Sequence, residues 1–243
     1  MSRRVLLDNV THKDLRVRTG HSAEFGDNIN NVPVFPTEFA SVQREYPILF
    51  KRADDGQLQA VALLGLDKDE NLFLDETGWH ARYVPAVQQR GPFLIGLHKQ
   101  GADSPVSEPM IHVDLDHPRI DSESGEPVFL KHGGNSPYLE HISRILQLIN
   151  DGARQQKPMF SAFEKAGLIE EMKIEIELDE TLKYNVPGFL TISRERLAEL
   201  GGDTLEELNQ SGYLHLAMLV VTSLGNVSWL IELKNRRRAA EQA

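Results

Sequence analysis

Cysteine is absent from the 243-residue chain. This excludes a disulfide scaffold, a cysteine-ligated zinc or iron–sulfur site and a thiol nucleophile. Long apolar runs are also missing: the longest, around Tyr213 to Leu224, is shorter than the roughly 20 residues that a membrane-spanning helix needs. The N-terminal apolar run stops at Asp8, short of the roughly 7–15 residues of a secretory signal. We therefore expect a cytoplasmic protein with no signal peptide and no membrane span.

Positive charge is scarce relative to negative charge. The chain has 36 Asp and Glu against 26 Lys and Arg, a formal net charge of −10 at pH 7. Such a chain repels a phosphate backbone, so we expect no general nucleic-acid binding. Apolar residues make up 40% and charged residues 26%, which is ordinary for a globular protein and argues against disorder.

The N-terminal half shows the patterns of strands and turns. Apolar runs at Ile48–Lys51 and Gln57–Leu66 flank Asp55-Gly56, which predicts a hairpin. Asn71–Leu74 follows a polar turn and predicts a third strand of the same meander. The proline-containing segment Val32–Pro36 predicts an edge strand or an extended lead-in. Alternation in Met110–Asp116 predicts a strand with one apolar and one polar face.

The C-terminal half shows mainly helical patterns. Ser136-Pro137 predicts a helix start, and Asn150–Gly152 predicts its end. Pro158 predicts the start of a second helix. Alternation predicts a strand at Met172–Leu178, and Pro187-Gly188 predicts an edge or bulge in the next strand.

A long helix is predicted from Tyr213 to about Arg238. Its first three turns are apolar nearly all round, so we expect Tyr213–Leu224 to be the most buried helical segment. Its last turn, Lys234–Arg238, is basic, which favours interaction with the negative end of the helix dipole.

These patterns predict an α+β fold. A largely antiparallel sheet from the N-terminal half packs against C-terminal helices, including the long, buried final helix. We expect an N-terminal arm over residues 1–30 and a single domain over residues 31–243, which is β-rich over 31–135 and helix-rich over 136–243.

Several short motifs, in a consistent order over roughly Asn31 to Arg238, resemble a known family. They are Tyr46-Pro47-Ile48, Val61–Leu66, Asn71-Leu72-Phe73, Trp79–Pro85, Gly91-Pro92-Phe93, Asp114-Leu115-Asp116, Gly125-Glu126-Pro127, Gly188-Phe189 and Ser223–Asn226. On these motifs the chain resembles the SapC family of bacterial proteins, which is named after a gene in an S-layer locus.

The resemblance implies little about chemistry, because the family has no established activity or catalytic residues to carry over. Related genes lie near those for outer-membrane receptors, flavin-dependent halogenase-like proteins and cupin-like proteins. This neighbourhood implies an accessory role in nutrient uptake or tailoring.

A candidate metal site lies at His112, Asp114, Asp116 and His117. Alternation places the first three on one strand face, with about 7 Å between successive side chains. An imidazole with carboxylates can bind a divalent ion. The alternative is the solvent face of an amphipathic strand, with His117 in the following turn. The aspartates fit the SapC pattern better than the histidine does.

A candidate ligand site contains Trp79, Arg82 and Tyr83, with Arg90 nearby in the sequence. Aromatic side chains interleaved with arginines can hold an anionic or planar molecule through stacking and forked hydrogen bonds. The alternative is that the aromatic rings anchor a loop while the arginines pair with carboxylates.

Two functional hypotheses follow. In the first, the chain is a non-catalytic binding or accessory protein with an unidentified small-molecule or protein partner and no cofactor. In the second, it is a metal-assisted enzyme using the face of His112, Asp114 and Asp116. The chain contains no complete catalytic motif, which favours the first.

Overall fold

The computed structural model describes residues 3–53, 55–99, 107–121, 123–177 and 183–242. Its helices and antiparallel sheets confirm the predicted α+β class. The strands in this part of the chain are β1 (Arg4–Leu6), β2 (Arg16–Val17), β3 (Asn31–Pro33), β4 (Ile48–Arg52), β5 (Leu58–Leu63), β6 (Leu74–Asp75), β7 (Gly78–Trp79), β8 (Phe93–Lys99), β9 (Ser107–Asp114), β10 (Ile120–Asp121), β11 (Glu126–Pro127), β12 (Ile169–Glu177) and β13 (Lys183–Ile192). The helices are α1 (Phe39–Val42), α2 (Ala86–Gln89), α3 (Pro137–Lys165), α4 (Arg194–Ala198), α5 (Gly202–Gln210), α6 (Tyr213–Ser223) and α7 (Asn226–Glu241).

The chain forms two compact units, each built from two separate stretches. Unit 1 contains Met1–Asp27 and Ala86–Asn150, and unit 2 contains Asn28–Pro85 and Asp151–Ala243. The predicted arm over residues 1–30 and single domain over residues 31–243 stay a prediction. The N-terminal residues supply β1 and β2 to the sheets of unit 1.

Unit 1 has its core beside a three-stranded sheet in the order β1-β9-β8. Val113 in the middle strand is fully buried with Phe93 and with Leu139 of α3, and Ile111 and Leu115 pack against the same core. Ile111 and Val113 of β9, and Leu115 just after it, therefore face inward, as the alternation predicts. A second small sheet has the order β10-β2-β11.

Unit 2 contains a five-stranded sheet in the order β12-β13-β4-β5-β3. The β4–β5 hairpin is confirmed, with its turn completed by Gly56 at a φ of +79°, a backbone conformation that glycine adopts readily. Strand β3 lies at the edge, as predicted. Asn71–Leu74 does not extend the meander, because Leu74–Asp75 pairs instead with Gly78–Trp79 in a separate two-stranded ribbon.

The C-terminal half contributes strands as well as helices to unit 2. The predicted strand at Met172–Leu178 is present within β12, and its last residue lies outside the described residues. Strand β13 lies inside the sheet, between β12 and β4, so it is not an edge strand. The predicted bulge is present: the register shifts opposite Pro187-Gly188, where Gly188 has a φ of +86°.

Helix α3 is continuous over 29 residues, which corrects the prediction of two helices. Gly152 does not end it; the glycine is required because a Cβ there would lie 2.4 Å from Phe35 Cβ and 2.5 Å from Thr37 Oγ1. Pro158 does not begin a new helix either. It lies on the exposed face, where water can satisfy the helix carbonyl that loses its N–H donor at a proline.

The predicted final helix forms two consecutive helices, α6 and α7, separated by Leu224-Gly225. The expected burial is not met: within α6 only Ala217, Val220 and Ser223 are buried, and Met218 is 49% exposed. Helix α3 buries a longer apolar face. Residues Tyr213–Glu241 are long and apolar enough to cross a membrane by composition alone, a test that core helices of soluble proteins also pass.

Candidate functional site

Two aromatic residues of the predicted ligand site, Trp79 and Tyr83, belong to a hydrogen-bonded network in unit 2. Trp79 Nε1 donates to the Tyr46 hydroxyl (2.9 Å), which donates to the Tyr83 carbonyl (2.5 Å). The Tyr83 hydroxyl donates to Oε2 of buried Glu38 (2.8 Å). Burial raises the pKa of both tyrosines, so both hydroxyls remain protonated donors. These contacts hold the loop that contains Tyr83 in place. A ligand role for the two rings stays a prediction.

The two arginines of the same predicted site belong to different units. Arg82, in unit 2, has a 92% exposed side chain whose Nε lies 3.8 Å from Glu45 Oε1. Arg90, in unit 1, donates from Nη1 to the Phe93 carbonyl (2.7 Å). Burial, and to a lesser extent Arg4, lowers the pKa of Arg90. Within unit 2 the structure therefore groups Trp79 with Tyr83 and leaves Arg82 at the surface.

The predicted metal ligands lie along and just beyond β9 in unit 1, where three of them bind nearby backbone. His112 Nδ1 lies 3.2 Å from the Met110 carbonyl. Asp114 Oδ1 accepts the N–H of Asp116 (3.2 Å), and His117 Nδ1 accepts the N–H of Arg119 (3.1 Å).

Asp116 is held at the surface by the N-terminal strand: its Oδ2 accepts the N–H of Arg3 (2.9 Å). Burial and the neighbouring Arg119 lower the pKa of His117. Among the residues that the structure describes, no group of three or more His, Asp or Glu side chains is arranged to hold a metal ion. Metal binding at this strand face stays a prediction.

A cavity of about 320 Å³ in unit 2 provides a different candidate site, which we call the hairpin–helix pocket. The turn end of the β4–β5 hairpin forms one side of it. The residues that this hairpin contributes are Arg52, Gly56, Gln57 and Leu58. Arg52 is paired with Leu58 across the hairpin, and its Nη1 donates to the Gly56 carbonyl (3.3 Å). The tight turn therefore places a guanidinium at the mouth of the cavity.

The other side of the pocket is one face of α3. The residues that this helix contributes are Ala153, Gln156, Lys157, Phe160, Ser161 and Glu164. Their spacing of three and four residues places them on a single helix face. The Phe160 ring packs edge-on against Phe50 of β4, with ring centroids 4.9 Å apart. This aromatic contact fixes the helix on the sheet, while the polar residues on either side of it line the opening.

Gln156 is the most informative residue of the pocket. Its Nε2 donates to the Leu58 carbonyl (3.5 Å), and this contact sets which way the amide points. Its Oε1 is buried and finds no donor among the described residues. A buried acceptor without a donor is destabilising, by about 1–3 kcal/mol. Such a group beside a cavity indicates a place where a bound molecule can supply the missing N–H or O–H.

The pocket carries charges of both signs. Arg52 and Lys157 are exposed cations and Glu164 is an exposed carboxylate. None of the three forms an ion pair with another residue in the described part of the chain. The pocket can therefore offer its charges to a bound molecule without first breaking an ion pair among the described residues.

Sequence reasoning missed this pocket because it divided α3 in two. The residues of the pocket face recur with helical spacing across Pro158, so a helix continued through the proline would have placed them together. Their proximity to Arg52 has no local signal, because about a hundred residues separate the hairpin from this face.

The fold and the pocket together define a class: an α+β protein with a small, polar, open cavity between a hairpin and a helix. A family model for SapC matches residues 7–230. The chain therefore belongs to the SapC family, as its motifs predict. No curated protein and no solved structure matches it.

Proposed function

We propose that this SapC-family protein is a non-catalytic accessory protein that binds a small polar molecule in the hairpin–helix pocket. The buried, donor-less carbonyl of Gln156 carries the proposal, since a bound donor would relieve its cost. The cavity volume of about 320 Å³ lies at the small end of the roughly 300–1,000 Å³ found for small-molecule sites.

The absence of catalytic geometry around the pocket favours binding over turnover. Among the described residues, the charged groups that line it are two cations and one carboxylate, with one hydroxyl from Ser161. No histidine of the described chain lines it to act as a general base at neutral pH. We therefore propose holding or delivery of the molecule rather than its conversion.

For the setting, we propose the bacterial cytoplasm, beside a surface, nutrient-uptake or tailoring system. The net charge of −10 supports a role away from nucleic acid. In such a system an accessory protein would supply or remove the molecule that the receptor or tailoring enzyme handles.

A pocket-filling substitution tests the proposal. Ser161 is exposed and lines the cavity, so Ser161→Trp blocks the opening without disturbing the core. Thermal-shift screening with amino acids, short peptides and small anions should find compounds that raise the melting temperature of the wild type but not of Ser161→Trp. The matched Ser161→Ala variant should keep the response.

Two results would contradict the proposal. One is that compounds stabilise the wild type and Ser161→Trp equally, which would place binding elsewhere. The other is that a compound bound in the pocket is chemically converted by the purified protein, which would make the chain an enzyme.

A further inference from the structure

We infer that the molecule held in the hairpin–helix pocket is a short zwitterionic peptide of two or three residues, an inference that rests on the proposed function. The separation of opposite charges along the pocket carries it, together with the amide group of Gln156 at the positive end. Each end of the pocket matches one terminus of such a peptide.

The positive end lies at the turn of the hairpin. Arg52 is paired with Leu58, and the Leu58 carbonyl accepts a hydrogen bond from Gln156. Lys157 follows Gln156 on the same helix face and also lines the cavity. Two cations therefore converge where the hairpin meets α3, and a carboxylate is the group that an arginine fork and a lysine both bind.

The negative end lies further along the same helix. Phe160 contacts Phe50, whose strand partner is Ala60, so the helix follows the hairpin away from its turn. Glu164 lies one turn beyond Phe160 and supplies a carboxylate for an ammonium group. The turn itself also carries Asp55, but its Oδ1 accepts the N–H of Gln57 and it does not line the cavity.

The distance between the two ends sets the length of the ligand. Lys157 and Glu164 are seven residues apart on a helix that rises 1.5 Å per residue, a separation of about 10 Å. An extended peptide spans roughly 3.3–3.6 Å per residue, so about three residues cover it, and two do when the lysine side chain leans inward. A free amino acid is too short to reach both ends.

The positive end also suits a peptide backbone. Gln156 Oε1 finds no donor among the described residues, and the N–H of the peptide unit next to the ligand's carboxylate is a donor of the right kind. An inorganic anion would use only the positive end and would leave Glu164 without a partner. A simple amine would use only the negative end.

Isothermal titration calorimetry with trialanine and its blocked forms tests the inference at low ionic strength, where exposed charges are least screened. Trialanine should bind the wild type. N-acetyl-trialanine, which lacks the ammonium, and trialanine amide, which lacks the carboxylate, should each bind at least fivefold more weakly. Free alanine should bind more weakly than either.

Charge-removing variants assign each terminus to its end of the pocket. Lys157→Gln should lower the affinity for trialanine about fivefold and leave the affinity for trialanine amide unchanged. Glu164→Gln should also lower the affinity for trialanine about fivefold and leave the affinity for N-acetyl-trialanine unchanged. The controls Arg154→Gln and Glu171→Gln remove exposed charges outside the pocket and should change neither affinity.

The outcomes separate this inference from the proposed function. Two results would overturn the peptide assignment while the proposed function stands. One is that blocked and free peptides bind with equal affinity. The other is that Ser161→Trp abolishes the binding only of a compound that is not a peptide. If no compound depends on the pocket, both are overturned.

Discussion

Lys234 shows how a single buried charge connects distant parts of unit 2. Its side chain is 10% exposed, and Nζ lies 2.6 Å from Asp67 Oδ2 and 2.5 Å from Glu70 Oε1. Burial by itself lowers the pKa of Lys234, but the hydrogen bonds that its ammonium group donates to both carboxylates outweigh burial and raise the pKa above its ordinary value. The second oxygen of Glu70 accepts the N–H of Leu66 (3.0 Å). Lys234 thereby holds α7 against this loop.

This contact corrects the interpretation of the basic segment as a helix-dipole partner. Helix α7 continues to Glu241, beyond the basic segment Lys234–Arg238. Arg237 also binds the loop, since its Nη2 donates to the carbonyls of Asn71 (3.1 Å) and Leu74 (2.8 Å). The sequence supplies the charges, but their partners lie some 160 residues earlier in the chain, where no local pattern reveals them.

Replacing Lys234 should be strongly destabilising. Lys234→Met leaves the buried Glu70 carboxylate without its cation, so we expect the free energy of unfolding to fall by about 3 kcal/mol. Both tryptophans, Trp79 and Trp229, belong to unit 2, so urea denaturation followed by tryptophan fluorescence measures this decrease in the free energy of unfolding. The control Arg236→Met removes an exposed pair with Glu232 and should cost less than about 1 kcal/mol. Equal losses in the two variants would show that Lys234 has no special role.

At the scale of single elements, local patterns predicted strands better than the continuity of helices. The inward face of β9, the β4–β5 hairpin and the bulge at Pro187-Gly188 follow from alternation and from glycine and proline chemistry, which are local. The start of α3 at Ser136-Pro137 is confirmed, but its continuity past Gly152 did not follow from local patterns, because packing decided it. Gly152 is a helix-ending residue by propensity, yet it lies inside α3 because only a glycine fits against Phe35.

Replacing Gly152 by alanine should lower the free energy of unfolding, whereas replacing Gly202 by alanine should not. Alanine favours a helix by about 1 kcal/mol over glycine. At Gly152 the new methyl group would overlap Phe35 and Thr37, and overpacking costs about 1–3 kcal/mol, so we expect Gly152→Ala to lower the free energy of unfolding by about 1–2 kcal/mol.

Gly202, at the start of α5, has no heavy atom within 4 Å of an added Cβ. We expect Gly202→Ala to leave stability unchanged or slightly raised. Urea denaturation followed by tryptophan fluorescence measures both variants. A stabilising Gly152→Ala would show that the helix can shift away from Phe35.

At the scale of the whole molecule, composition and periodicity predicted the α+β class and the motifs predicted the family. The division into units was beyond them. Residues 1–27 join residues 86–150 across an intervening stretch that belongs to unit 2. Likewise, β13 joins the sheet beside β4 although most of the chain separates them. Such pairings depend on three-dimensional complementarity rather than on neighbouring residues.

Alkaline pH should destabilise both units through buried tyrosines. Burial raises the pKa of Tyr46 and Tyr83 in unit 2, and raises that of Tyr138 in unit 1 to about 12. In the unfolded chain a tyrosine ionises near pH 10. The stabilisation is therefore complete below about pH 10 and is lost as pH rises towards about 12.

Urea midpoints measured from about pH 8 to about pH 11.5 should fall at the alkaline end, and tyrosinate absorbance should rise together with unfolding. In the matched variant Tyr138→Phe, circular dichroism should show a shallower fall. Stability that stays constant across this range, with tyrosinate forming in the folded protein, would contradict the assigned burial.

The interleaving of the two units has a consequence during synthesis on the ribosome. Strand β4 emerges early and pairs with β5, but its other edge waits for β13, whose Leu190 pairs with Phe50. At roughly 5–20 residues per second the delay is on the order of ten seconds. Throughout that interval the nascent chain presents an apolar strand edge, which is a template for aggregation and a natural target for a chaperone.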